Sequence, residues 1–101
     1  MQSLKELMTG RKAPYQKPIG VIILALQSRG WSSFSSKSGG LSSYLRFVVS
    51  DGKDNCMCIC YDDKWENILV PDVSIRIVNP IYSGNSIKIL RAKSAVYRYV
   101  I

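Results

Sequence analysis

Hydrophobic and polar residues alternate most regularly between Tyr44 and Tyr61, YLRFVVSDGKDNCMCICY. Leu45, Phe47 and Val49 fall on one side of an extended chain, with Tyr44, Arg46, Val48 and Ser50 on the other. A period of two predicts a half-buried strand. Asp51-Gly52 then marks a tight turn, because glycine takes a positive φ without steric cost. Past the turn Cys56, Cys58 and Cys60 share one side, and Met57, Ile59 and Tyr61 the other. A two-stranded hairpin is marginal in water, so one this apolar belongs in a larger sheet.

The rest of the chain supplies that sheet. Ser3–Met8 reads as a capping box, with Ser3 as N-cap, Glu6 three residues on, and Leu4, Leu7 and Met8 on one helical face. Arg11–Pro18 is a connector, since Pro14 and Pro18 oppose regular structure. Ile19–Arg29 is a strand, nearly all apolar for eight residues, so both its faces are expected to meet protein for part of its length. Gly20 is the expected bend or bulge in it. Gly30–Ser43, with seven serines and three glycines in fourteen residues, reads as a long loop. Asp63–Leu69 reads as a short helix, with Asp63 as N-cap, Trp65, Ile68 and Leu69 on one face, and Pro71 stopping it. Val73–Tyr82, the Ser83-Gly84-Asn85 turn and Ser86–Lys93 form a second hairpin. Pro80 restricts the end of its first strand to an edge or bulge, and its second strand mixes apolar and basic residues as a switch of face would. Ala95–Ile101 is a further extended segment.

Residues 1–17 are therefore a short helix and connector, and 18–101 one domain. The order is strand, long loop, strand, tight turn, strand, short helix, strand, turn, strand. That is the order of the all-β OB-fold, a five-stranded, partly open barrel with a helix between its third and fourth strands. A small SH3-like barrel is the rival, but the helix at Asp63–Leu69 falls where the OB-fold places one.

Composition narrows the function. Hydrophobic residues make up 47% of the 101, which suits a globular core. No apolar run approaches the roughly 18 residues of a membrane span, and no signal peptide is visible, so an intracellular protein without a membrane partner is expected. The three cysteines lie two apart on one strand, a poor fit to disulfide geometry. A zinc site lacks a nameable fourth ligand in a chain without histidine. Reduced cysteines filling the core are expected, with neither metal nor cofactor. Of the net charge of +7, residues 1–50 hold seven Lys/Arg against one acid, residues 51–72 two against six, and residues 73–101 five against none. If the acids gather at one end, the remaining surface favours a polyanion; the alternative is an ordinary solvated basic surface.

The absence of histidine removes the commonest general base. Asp62 and Asp63 are adjacent and would point apart on a helix. No phosphate-cradling or nucleophile motif occurs, so a binding module is expected rather than an enzyme. Basic residues interleave with aromatics at Trp31, Phe34, Lys37, Tyr44, Arg46, Tyr61, Lys64, Tyr82, Lys88 and Arg91. Single-stranded nucleic acid is held this way, cations tracking phosphates while rings stack on bases. The alternative buries the aromatics, with Trp31 and Phe34 tucked onto the barrel's lip and Tyr61 turned inward by a one-residue slip.

The run Tyr44–Tyr61, its Asp51-Gly52 turn and its closing Tyr61, followed by Asp63–Leu69 and Val73–Asn79, resembles OB domains of the replication protein A group. Telomere end-binding and meiosis-specific OB proteins share this pattern, and Ser3–Met8 followed by Ile19-Gly20-Val21-Ile22 is similar to the start of the last type. The resemblance spans roughly Pro18–Ser94. Asp72-Val73 departs from the Gly-Asp common there, and the four-cysteine zinc insertion of some members is missing. The resemblance implies a domain that binds single-stranded DNA or RNA in a nuclear complex of replication, recombination or telomere type. Tyr44, Arg46 and Tyr61 would line the sheet face, Trp31, Phe34 and Lys37 would close from the long loop, and Tyr82 and Lys88 would form the opposite wall. The rival function is a protein-interaction OB subunit, with Ala95–Ile101 pairing with a partner.

Overall fold

The computed structural model describes residues 1–10, 15–27, 30–35 and 40–99. Helix α1 (Leu4–Thr9) leads into strands β1 (Ile19–Leu26), β2 (Ser32–Ser35), β3 (Leu41–Ser50) and β4 (Asn55–Cys60). A 3-10 turn (Asp63–Trp65) precedes β5 (Ser74–Val78), β6 (Ile81–Ser83), β7 (Ser86–Ile89) and β8 (Ala95–Arg98). The strands form one sheet in the order β6-β7-β4-β3-β1-β5-β8, with β2 on β3. All pairs are antiparallel except β4 with β7. The two ends of this path are joined by the chain itself. β6 follows β5 across Asn79-Pro80, and β8 follows β7 across Leu90–Ser94, so the sheet must curl strongly.

Among the described residues eight strands replace the expected five, for two reasons. First, the two long C-terminal strands each break once. Asn79 sits at φ 52 and Ala92 at φ 65, left-handed values that no strand interior accepts. The breaks are tied together: Asn79 Nδ2 donates to the Lys93 carbonyl at 3.0 Å, and Ser94 Oγ donates to the Asn79 carbonyl at 2.8 Å. Second, the serine-rich segment is not a loop throughout. Ser32–Ser35 pairs with Leu41–Tyr44 and extends the β2–β3 hairpin beyond the sheet as an arm.

The alternation between Tyr44 and Tyr61 sets the interior. Leu45, Phe47, Val49, Cys56, Cys58, Cys60, Ile75 and Ile77 are all buried. They pack with Ile19, Val21, Ile23, Ile87, Ile89 and Val96 into one core. In β1 the burial alternates, and Leu24 is 44% exposed, so only one face of that strand is fully covered. The β-bulge lies between Ile23 and Ala25 rather than at Gly20, which pairs regularly with Arg76. The bulge shifts the register against β3 by one residue and leaves Leu24 without a cross-strand partner there.

Two caps close the core. Helix α1 has the expected capping box, Ser3 Oγ accepting from Glu6 N at 3.1 Å. It buries Leu4 and Leu7, and Leu4 N donates to Asp51 Oδ2 at 3.0 Å across the β3–β4 turn. At Asp63–Leu69 the chain keeps the apolar face but not the full helix. The backbone bonds there run three residues apart (Trp65 to Asp62, Glu66 to Asp63, Ile68 to Trp65), which winds a 3-10 turn. Its N-cap is Asp62, not Asp63, with Asp62 Oδ1 accepting from Lys64 N at 3.3 Å. Leu69 is buried, and Trp65 and Ile68 pack on the core.

Candidate functional site

Because the cysteines face inward, Met57 and Ile59 face outward, and so do Tyr44, Arg46 and Val48 across the ladder. Arg46 stands opposite Ile59, Ile59 beside Lys88, and Lys88 opposite Ile81, one row across the outer surface of the curled sheet. At the end of this row the arm returns. Phe34, on β2, brings its ring against Tyr44 (centroids 5.7 Å apart) and against Tyr61 (6.0 Å, edge-on at 78°). Tyr44 and Tyr61 lie 6.4 Å apart. The Arg46 guanidinium sits 5.5 Å from the Tyr44 ring centroid, a cation–π contact. Phe34, Tyr44, Arg46 and Tyr61 line an open cleft of about 250 Å³. Each ring is half-buried, so the cluster keeps aromatic surface in solvent, and Arg46 is exposed.

The other sequence-predicted site residues stand elsewhere or are engaged. Lys64 Nζ lies 3.4 Å from Asp62 Oδ2 and 4.8 Å from the Trp65 ring centroid. Arg91 pairs with Asp62 at 3.9 Å and Asp63 at 3.8 Å. Asp62, whose side chain is 3% exposed, is the hub of this group. Lys88 Nζ donates to the Ser83 carbonyl and to Ser86 Oγ, folding back over the β6–β7 turn. That turn places Gly84 (φ 58) and Asn85 (φ 65) in the left-handed region, a type I′ hairpin. Tyr82 lies beside the turn in a groove shared with Leu7 and Met8 of α1. Trp31 is half-buried and packs against the core. Lys37 lies outside the described residues. Among the described residues, Arg46 has no acidic partner.

Sequence reasoning missed Ser32 and Ser42. Ser32 is directly opposite Tyr44 and Ser42 directly opposite Phe34, so both hydroxyls share the face of the rings. Their signal was faint: serine alternating with larger residues in SSFS and LSSY, hidden in a segment whose composition reads as a spacer.

The thiols take no part in this surface. Burial pushes all three up, Cys60 to about 12 and Cys58 well above its ordinary value, so each stays a neutral thiol. No group of three His, Cys, Asp or Glu among the described residues is arranged to hold a metal.

No protein-family model and no curated protein sequence matches this chain. Solved structures do match. The OB domain of Ta0387 from Thermoplasma acidophilum superposes with a TM-score of 0.70 over 99% of this chain and 87% of its own, at 14% identity. The fold is an OB-fold. The p202 HIN1 domain in complex with 12-mer double-stranded DNA is similar at a TM-score of 0.69 and 13% identity, over 97% of this chain and 47% of that one. A murine DNA-binding protein bound with double-stranded DNA matches at 0.64 and 15% over 85% of this chain. The chain spans 42% of that protein's length. In OB-fold terms β1, β3 and β4 are the first three strands, β5 with β6 the fourth, and β7 with β8 the fifth. The arm is then the connection between the first and second strands, and Gly84-Asn85 that between the fourth and fifth.

Proposed function

We propose that this OB domain binds single-stranded nucleic acid, DNA in the first instance, in the cleft of Phe34, Tyr44, Tyr61 and Arg46. The carrying observation is the three-ring cluster, half open to solvent, with an exposed arginine stacked on one of its members. Rings on an outer sheet face add no core, yet each offers a stacking surface worth about 1–3 kcal/mol per base. An unpaired base presents its π-face to such rings, whereas a duplex keeps its bases stacked on each other. The DNA-bound structures among the similar folds support a nucleic-acid ligand. The basic balance of residues 1–50 and 73–101 supports a polyanion. We assign the domain a binding rather than a catalytic role, in a nuclear complex of replication, recombination or telomere type.

Fluorescence anisotropy with single- and double-stranded oligonucleotides of one sequence, at two salt concentrations, tests this. Tighter binding of the single strand, weakened by salt, is the expected result. Tighter binding of the duplex sinks the single-strand assignment. The second reading, a protein-interaction OB subunit, is favoured by Tyr97, 55% exposed on β8, a strand paired only with β5 among the described residues. Absence of binding to either oligonucleotide at low salt selects it.

A further inference from the structure

We propose that Ser32 is a phosphorylation site for an ATP-dependent serine kinase, and that its phosphate closes the nucleic-acid cleft by taking Arg46. This rests on the cleft being the binding site.

The argument begins with register. Ser32 pairs directly with Tyr44, so the two side chains share one face of the arm. Phe34 and Arg46 share that face too. Ser33 pairs with Ser43 on the opposite face. Arg46 lies two residues beyond Tyr44, and diagonal neighbours on one sheet face are separated by about 7–8 Å, within reach of a long side chain. The guanidinium already leans over the Tyr44 ring, toward Ser32's partner. A phosphate on Ser32 therefore arrives beside the cleft's one described cation that has no acidic partner.

Access and chemistry agree. Among the described residues β2 pairs only with β3, and the segment is already extended, with Ser32 half-buried between the exposed Ser33 and the half-buried Trp31. Arg29 stands three residues before Ser32 in the sequence, the basic spacing that basophilic serine kinases read. In the transfer, Ser32 Oγ attacks the γ-phosphorus of ATP. The bond from that phosphorus to the β–γ bridging oxygen breaks, ADP leaves, and the hydroxyl proton passes to the kinase's base. The product carries about −1.5 to −2 charges and three strong acceptor oxygens. It satisfies Arg46 from within the chain and repels the ligand's phosphates.

The test uses the full chain, a basophilic serine kinase with ATP, and an oligothymidine labelled for anisotropy. Mass spectrometry is expected to find the added phosphate on Ser32, and the modified protein to bind about tenfold or more weakly, from a gained dianion and a lost cation contact. Ser32→Asp is expected to weaken binding in the same direction, Ser32→Ala to take no phosphate and to show the same affinity before and after kinase treatment, and Ser33→Asp to change affinity by less than about threefold because its charge is solvated on the far face. In an Arg46→Ala background Ser32→Asp should lose most of its effect. Melting temperatures establish that each variant is folded. Failure of the kinase to modify Ser32, equal effects of Ser32→Asp and Ser33→Asp, or a phosphorylated protein that binds as before overturns the switch. Those results leave the binding function standing. Absence of oligothymidine binding by the unmodified wild type overturns the function itself, and the switch with it.

Discussion

The ring of Phe34 meets the ring of Tyr61 edge-on at 6.0 Å, the arm of one hairpin closing on the last outward residue of the central pair. Edge-to-face contact puts the positive rim of one ring on the negative face of another. It leaves the remaining faces of both half-buried rings open to a ligand. Tyr44, which contacts both, fixes the third side and carries Arg46.

Tyr61 is expected to matter to binding more than to folding. Tyr61→Ala should cost about 1–3 kcal/mol of affinity for single strands. Its half-buried ring lies outside the core, so the melting temperature should change little. A large drop in melting temperature with affinity retained would assign the ring to structure. Phe34→Ala should act in the same direction, and the double variant should fall short of the sum, since the rings touch.

Arg46 and Lys88 should separate. Arg46→Ala is expected to weaken binding to all sequences and to reduce the salt slope by roughly 0.7, one phosphate on a single strand. Lys88 is bound to Ser83 and Ser86 in its own turn. Lys88→Ala should therefore appear first as lost stability of the β6–β7 hairpin, read by hydrogen exchange at Ser86–Ile89, with a smaller effect on the salt slope. A full-sized slope change for Lys88→Ala alone would show that its Nζ leaves the turn for the ligand.

The thiols should be inert in the folded protein. Burial pushes Cys60 up to about 12 and Cys58 well above its ordinary value, so the thiolate that alkylating reagents need is scarce at pH 8. Iodoacetamide should label all three cysteines in denaturant and label Cys58 and Cys60 only at the rate of global unfolding without it. Fast native labelling of either would place it outside the core. Zinc should leave the melting temperature unchanged.

Acid should loosen the α1 cap. The backbone N–H groups of Asp54 and Leu4 hold the Asp51 carboxyl below its ordinary value of 3.8. A folded-state pKa lower than the unfolded one gives stability that is complete above the unfolded value and is lost as pH falls through the folded one. The wild type should therefore lose stability below about pH 4 more steeply than Asp51→Asn. At neutral pH the variant should be the less stable of the two. Parallel pH profiles for the two proteins would remove Asp51 from the α1 contact.

Much of this was legible in the residues. Leu45 to Val49 and Cys56 to Cys60 alternate so strictly that a one-residue slip would have turned the whole core outward. Tyr61 therefore had to share a face with Ile59 and Met57, and Ser3 with Glu6 had to cap a helix. The arm was not legible, because SSFS has low strand propensity, and it becomes a strand only when β3 runs long enough to pair with it. The bulge falls at Leu24 and not at the more flexible Gly20, because the register of β3 and not local flexibility sets its place.

The cations show the limit most clearly. By itself the sequence determined which residues share a sheet face, because the pleat has a period of two and the apolar half must be buried. Which basic residues are free was decided only by the tertiary structure. Lys64 meets an acid two positions away, but Arg91 meets Asp62 and Asp63 across the fold, and Lys88 finds a carbonyl beyond a turn. Electrostatic and hydrogen-bond energies depend on distance through space, and separation along the chain carries no such distance until the sheet has curled.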